Sequence, residues 1–232
     1  MRNVIATILM IGGLTFGGFN GYIWIKESSS GSEKIGQHDI VVQEESHMEQ
    51  IDTHSFEEQA LNDTSINMTQ EELLLTSGAP KNELSPKESR DYSEYARGDD
   101  VGWLLIPALD LKYPIYWGTD DETLTQGVGY HIGDFTTPPD GLSHTVLSGH
   151  RDTVFRELGD LEETDTMYVQ FEGVQYEYQI NKTWITDADD RSVIVHKDEP
   201  TLTLTTCYPF SFIGPAPDRY IIEANFIGKV EM

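Results

Sequence analysis

Basic residues and cysteine are both scarce in this sequence. The 232 residues include 15 lysines and arginines against 40 aspartates and glutamates, which gives a formal net charge of −25. Such an acidic chain repels phosphate backbones, so nucleic acid is not expected as a partner. The only cysteine, Cys207, excludes an intrachain disulfide and gives little support to a structural zinc site, which often takes several thiolates. The lone thiol therefore needs another explanation.

Charge is also missing from the start of the chain. Residues 4–25 form a run of 22 residues without a charge, close to the length of about 20 that a helix needs to cross a bilayer. The run ends in Tyr22 and Trp24, which suit a membrane interface, and it lacks the small-residue exit of a cleaved signal peptide. The pattern predicts an uncleaved anchor over residues 1–26, with a cytoplasmic amino terminus. A cleaved signal is the alternative, and both place the rest of the chain outside the cytoplasm.

Aromatic residues are nearly absent from the next segment, residues 27–90. Its composition is rich in Ser, Glu, Gln and Asn, and its single aromatic residue is Phe56. Such a segment cannot bury enough apolar surface to offset the entropy of ordering, which predicts an acidic flexible stalk. Three of the four tryptophans and ten of the eleven tyrosines follow, so residues 91–232 are predicted to form the folded domain.

The apolar residues of this domain come in short β-branched and aromatic runs separated by Gly, Pro and Asp. In one run Tyr176, Tyr178 and Ile180 alternate with polar residues, which is typical of a strand with one solvated face. The runs predict a mainly β domain, a closed or nearly closed barrel of eight strands, with brief helices near 121–127 and 153–161. The predicted strands cover residues 103–106, 109–116, 145–147, 167–171, 176–185, 193–195, 201–206 and 220–226.

Cys207 lies at the end of a predicted strand. It follows the threonine-rich run 201–206 and precedes Tyr208 and Pro209, where proline interrupts a strand ladder. A thiol at a barrel rim has the rigid mount and the access that a nucleophile needs. A buried and inert cysteine is the alternative.

Two further side chains end or begin strands in the same way. His150 closes the apolar run before it, and an imidazole with an ordinary pKa of about 6.5 can protonate a leaving amine and later deprotonate an incoming one. Arg219 opens the last strand, where a guanidinium can donate hydrogen bonds to an oxyanion, or pair at the surface with Asp218 or Glu223. For the remaining histidines a solvated or structural role is expected.

Taken together, the run TLTTC at 203–207, Arg219 twelve residues later and SGH at 148–150 resemble the signature of the sortases. The strings HRDTVF at 150–155 and CYPF at 207–210 most resemble class D sortases of Gram-positive spore-forming bacteria. The resemblance implies an eight-stranded sortase barrel and a membrane-anchored cysteine transpeptidase without a cofactor. Its expected partners are secreted proteins with an LPxT-type sorting signal and an amine of peptidoglycan or of its lipid-linked precursor.

The resemblance also implies roles for single residues. Cys207 attacks the Thr carbonyl of the signal, His150 protonates the departing amine, and Arg219 stabilises the oxyanion or positions the signal. An amine then resolves the thioacyl enzyme and attaches the protein to the cell wall. The residues expected to line the site are Ser148, Thr205 and Thr206.

Several alternatives stay open at this stage. A membrane-tethered cysteine hydrolase would use Cys207 and His150 with water as the acceptor, and a tethered binding module would carry a structural thiol. A calcium site in an acidic loop and a zinc site with irregular ligand spacing are the two metal-binding alternatives. Their ligands would be Asp187, Asp189 and Asp190 for calcium, and His131, His144, His150 and Cys207 for zinc.

Overall fold

The computed structural model describes residues 10, 12–19, 31–42, 90–211, 214 and 216–232. The predicted anchor lies largely outside these residues, although residues 12–19 are helical. Over the described part of the chain, no helix has both the length and the apolar character that spanning a membrane requires. The described strands are β1 (Glu33–Lys34), β2 (Asp100–Ile106), β3 (Leu111–Trp117), β4 (Val128–Tyr130), β5 (His144–Ser148), β6 (Thr166–Phe171), β7 (Val174–Asp187), β8 (Thr201–Tyr208) and β9 (Asp218–Glu231).

These strands form one sheet in the order β1-β3-β2-β6-β7-β9-β8-β5-β4, and β3 also pairs with β4. The β3–β4 pairing closes the eight strands from β2 to β9 into a barrel, with β1 added outside the closed set. Most neighbours are antiparallel, but β5 runs parallel to β8 and β4 runs parallel to β3. The predicted mainly β, eight-stranded barrel is therefore confirmed.

The barrel interior is filled by alternate residues of each strand. On β6, Met167, Val169 and Phe171 are buried while their neighbours are partly exposed, which is the period of two that a strand imposes. Leu202 and Leu204 of β8 are fully buried on the same principle. Each such side chain contributes about 1.5–3 kcal/mol through removal of apolar surface from water.

The helices are shorter than the sequence predicts. The helix near 121–127 is present as α1 (Asp121–Leu124), and its first turn is capped by Asp120, whose Oδ1 accepts from the N–H of Thr123 at 3.1 Å. Near 153–161 the predicted brief helix is reduced to a 3-10 helix at Leu158–Asp160, which follows a series of turns. Two further 3-10 helices lie at Pro107–Leu109 and Pro139–Gly141.

The strand predictions fail in two places. Residues 193–195 form a loop instead of a strand, in which Val193 is buried and the carbonyl of Val195 lies 2.8 Å from the His144 ring. The sequence analysis missed β4, which has only three residues and carries no alternation long enough to recognise.

Residues 31–42, which fall within the predicted stalk, lie against the barrel. Here β1 pairs with β3, and Lys112 of β3 contacts Asp39 at 3.0 Å. Further along, Gln175 receives the N–H of Val41 at 3.1 Å and donates to its carbonyl at 2.8 Å. We call residues 31–42 the strap. Backbone groups and charges that composition alone does not reveal hold it on the barrel, and the rest of the predicted stalk, residues 27–30 and 43–89, lies outside the described residues.

Candidate active site

Cys207 and Arg219 face each other across two neighbouring strands. Cys207 is near the end of β8, Arg219 is near the start of β9, and the two are direct cross-strand partners. Side chains of direct partners lie on the same face of a sheet, with Cβ atoms about 4.5–5.5 Å apart. The register therefore places the thiol and the guanidinium side by side.

His150 joins them because β5 runs parallel to β8. The register pairs Ser148 with Thr205, so both strands end at the same rim of the barrel. The N–H of Gly149 donates to the carbonyl of Thr205 at 3.2 Å, and the hydroxyl of Thr206 donates to the carbonyl of Gly149 at 2.7 Å. These two bonds hold the segment that carries His150 against the strand that carries Cys207.

All three side chains remain accessible. Cys207, His150 and Arg219 are each partly exposed, which disagrees with the alternative of a fully buried, inert thiol. Nη1 of Arg219 donates to the carbonyls of Asp218 at 2.9 Å and Ala216 at 3.4 Å. Within the described part of the chain, Arg219 forms no ion pair, so the surface-pair alternative for this residue is wrong.

The three lining residues predicted from the resemblance divide into two kinds. Thr205 is two positions before Cys207 and so shares its face, and Ser148 stands opposite Thr205 on β5; both are partly exposed. Thr206 points to the other face, is 3% exposed and bonds Gly149. Thr206 therefore supports the His150 segment and does not line the site.

Further from the rim, past the pair of Thr205 and the buried Ile221, the face that carries Cys207 has a polar layer. Thr203 of β8 stands opposite Glu223 of β9, and Glu223 in turn stands opposite Lys182 of β7. Glu223 is 8% exposed and binds Lys197 at 2.6 Å and Lys182 at 3.0 Å. Because Lys197 belongs to the segment between β7 and β8, this buried carboxylate ties that segment to the face.

Burial alone would raise the pKa of Glu223, but the hydrogen bonds and charges of Lys197 and Lys182 outweigh it and lower the pKa. His144 forms a second tie, because its ring nitrogens lie 2.8 Å from the Val195 carbonyl and 2.8 Å from the Thr203 hydroxyl. Burial lowers the pKa of His144. The sequence analysis missed Glu223 as a tie because only the strand register reveals it.

The metal-binding alternatives find no support in the geometry. His144 lies at the opposite end of β5 from the rim, and its ring is already bonded to Val195 and Thr203. In the acidic loop, Asp190 accepts from the N–H and the hydroxyl of Ser192 at 2.8 and 2.7 Å, which forms a local turn. No group of three or more potential ligands is arranged for a metal ion anywhere in the described residues.

A separate cavity of about 440 Å³ lies at the other end of the barrel. Its lining includes Arg90, Tyr92, Trp117, Tyr130 and Pro138, none of which the sequence analysis selected. The cluster of Cys207, His150 and Arg219 therefore belongs to an open rim and not to this cavity.

Comparison with known proteins gives consistent results. A sortase-domain family model matches residues 104–227, more than half of the chain. Sortase D of Bacillus subtilis (strain 168) is 39% identical over 166 residues, which is 68% of this chain and 83% of that protein. The catalytic domain of B. anthracis SrtD is 54% identical, with a TM-score of 0.54 over 62% of this chain and 99% of that one. Clostridium perfringens sortase C, solved with the C-terminal cell wall sorting motif, is 27% identical, with a TM-score of 0.53 over 60% of this chain and 76% of that one.

Proposed function

We propose that this chain, which belongs to the sortase family of cysteine transpeptidases, cleaves an LPxT-type sorting signal between Thr and the next residue. Its relatives include sortases of class D. The freed carboxyl side of the secreted protein is transferred to an amine of peptidoglycan or of its lipid-linked precursor. The enzyme acts outside the cytoplasm, held to the membrane by residues 4–25.

The first half of the reaction forms a thioester. The Cys207 thiolate attacks the Thr carbonyl carbon, a C–S bond forms, and the carbonyl oxygen becomes an oxyanion that accepts hydrogen bonds from Arg219. As the C–N bond breaks, protonated His150 donates its proton to the departing amine. His150 is then neutral, and the acyl group remains on sulfur.

The second half reverses these proton movements. The incoming amine attacks the thioester carbonyl, neutral His150 takes the proton from its nitrogen, and Arg219 again faces the oxyanion. Collapse of this intermediate forms the new amide and releases the Cys207 thiolate. The enzyme returns to its starting state with no cofactor consumed.

One observation carries the proposal. The pairing of Cys207 with Arg219 across β8 and β9, together with the parallel pairing of β5 and β8, brings nucleophile, oxyanion donor and imidazole to one rim. Support for the substrate class comes from the C. perfringens relative that was solved with a sorting motif. Support for the anchor comes from the uncharged run at residues 4–25.

The test is an acyl-transfer assay on the full-length protein in detergent. Intact mass is measured after mixing with LPxT-type peptides, with and without an added amine. We expect an adduct equal to the peptide up to Thr, which the amine removes. Cys207→Ala should form no adduct, and His150→Gln should form it far more slowly. His131→Gln is the matched control, because the N–H of His131 bonds the carbonyl of Val146 in the middle of β5 and so lies back from the rim.

Each contrary result has a distinct meaning. Release of the acyl group by water at the same rate with and without amine would favour the hydrolase alternative. No adduct with any peptide, together with slow alkylation of Cys207, would favour a binding module and overturn the proposal.

A further inference from the structure

The residue after His150 is a buried arginine. Arg151 is 6% exposed, although a guanidinium stays charged at all working pH values and is rarely buried without partners. We propose that Arg151 is a positioning residue that holds the His150 segment against the segments of Cys207 and Arg219. This inference rests on the function proposed above.

The partners of Arg151 are mainly backbone carbonyls of the segment between Cys207 and Arg219. Nη1 donates to the carbonyl of Pro209 at 2.9 Å, and Nη2 donates to the carbonyl of Gly214 at 2.8 Å. Pro209 is two residues after Cys207, and Gly214 is five residues before Arg219. One planar group therefore joins the three segments that carry the predicted catalytic side chains.

The His150 side of the rim needs such a connection because β5 ends two residues before His150, whereas Cys207 and Arg219 still lie within the β8–β9 ladder. Strand β5 ends at Ser148 and β8 at Tyr208, while β9 begins at Asp218. Beyond Ser148 the ladder no longer fixes the chain, and the two bonds at Gly149 stop one residue before His150. Two parallel N–H donors on a rigid guanidinium supply the missing constraint, which a single ammonium group cannot reproduce.

The electrostatics favour a constraint that does not titrate. The carboxylate of Asp152 is 3.3 Å from Nε of Arg151, but Asp152 is largely exposed and therefore screened. The two carbonyl acceptors have no protonation equilibrium near neutral pH, and the guanidinium stays protonated. The link therefore persists while His150 gains and loses its proton during the reaction.

The test uses the full-length protein, three arginine variants, the variant His150→Ala and the double variant that combines His150→Ala with Arg151→Lys. Arg151→Met removes both donors, and Arg151→Lys keeps the charge but not the fork. Arg156→Met is the matched control, because Arg156 lies in the same segment and is exposed, and among the described residues its side chain bonds only the carbonyl of Asp152 in its own turn. The measurements are kcat and KM with an LPxT-type peptide, the pH profile of Cys207 alkylation by iodoacetamide, and the thermal unfolding midpoint.

We expect Arg151→Met to lower kcat about 100-fold, the loss typical of a misplacement of about 1 Å, and to leave KM within about threefold. Arg151→Lys should recover about tenfold of this loss, and Arg156→Met should match the wild-type protein. The alkylation profile of Arg151→Met should approach that of His150→Ala. In the His150→Ala background, Arg151→Lys should cause no further change, because its effect passes through His150.

Contrary outcomes separate this inference from the proposed function. If the wild-type protein transfers no peptide, the proposed function fails, and the alkylation profiles still decide the role of Arg151. If Arg151→Met and Arg151→Lys only lower the unfolding midpoint, with kcat and alkylation unchanged, Arg151 is purely structural and the inference is refuted. If Arg151→Met does not fold, Arg151→Lys alone decides.

Discussion

Replacing Glu223 with glutamine removes the charge at the centre of the polar layer below Cys207 while keeping the shape of the side chain. Glu223 is 8% exposed and binds Lys197 at 2.6 Å and Lys182 at 3.0 Å. Lys197 ties the segment between β7 and β8 to the sheet, whereas Lys182 lies on a neighbouring strand. The variant therefore tests whether this buried carboxylate stabilises the fold.

The size of the effect follows from the exposure of the partners. A hydrogen bond to a charged group contributes about 1.5–3 kcal/mol, but solvent already screens Lys182, whose side chain is 52% exposed. Most of the loss therefore comes from Lys197, and we expect the free energy of unfolding to fall by about 2 kcal/mol. For a domain of this size the unfolding midpoint falls by roughly 6–8 °C.

The pH dependence gives the sharper test. The pKa of Glu223 is lowered in the folded state, so its charged form stabilises the fold. This stability is fully present above the unfolded pKa of about 4.3 and is lost as pH falls through the lower folded value. The wild-type protein and Glu223→Gln should therefore differ at pH 7 and converge in strong acid.

Thermal unfolding followed by circular dichroism at several pH values measures this difference. Glu231→Gln is the matched control, because Glu231 is exposed at the end of the same strand and should leave the midpoint unchanged. Equal midpoints for the wild-type protein and Glu223→Gln at pH 7, or a gap that persists undiminished in acid, would show that the charge of Glu223 does not stabilise the fold.

Two further predictions concern other buried polar groups. Gln175→Leu leaves the N–H and the carbonyl of Val41 without their partner, so the free energy of unfolding should fall by about 1–3 kcal/mol. Limited proteolysis should then cut the strap faster in this variant than in the exposed control Gln179→Leu. Equal cutting rates in the two variants would contradict this prediction. Burial lowers the pKa of His144 in the folded state. Below about pH 6.5 the imidazole of His144 is therefore protonated in the unfolded chain more readily than in the folded one, and the free energy of unfolding falls. The unfolding midpoint of the wild-type protein should drop more between pH 7.5 and 5.5 than that of His144→Gln, and equal drops would show that His144 does not contribute.

Local patterns predicted most of the barrel because the alternation of apolar and polar residues within a strand shows which of its faces is buried. The alternation at Tyr176, Tyr178 and Ile180 identifies β7 without knowledge of its neighbours. The same reasoning fails at residues 193–195, where a short apolar run with a buried Val193 forms a loop. It also fails at β4, whose three residues take their place from β3 and β5.

The residues of the candidate site also differ in whether a local sequence pattern indicates them. Cys207, His150 and Arg219 lie at strand ends marked by chain breakers, so the sequence indicates them as candidates. Glu223 and Arg151 depend on partners that are distant along the chain, namely two lysines on other segments and two backbone carbonyls. Strand register and loop packing decide these contacts, and neither is encoded in a local pattern.

The strap also limits how far the domain can lie from the proposed membrane anchor. A Cβ added at Gly31 would lie 2.9 Å from Cγ1 of Val154, four residues after His150, so the strap begins beside the His150 segment. With the proposed anchor ending at residue 26, only residues 27–30 precede the strap, and four residues reach at most about 14 Å. The rim that carries Cys207 is then confined to a thin layer next to the bilayer surface. Confinement of this kind raises the effective concentration of a lipid-linked amine over that of amines deeper in the wall.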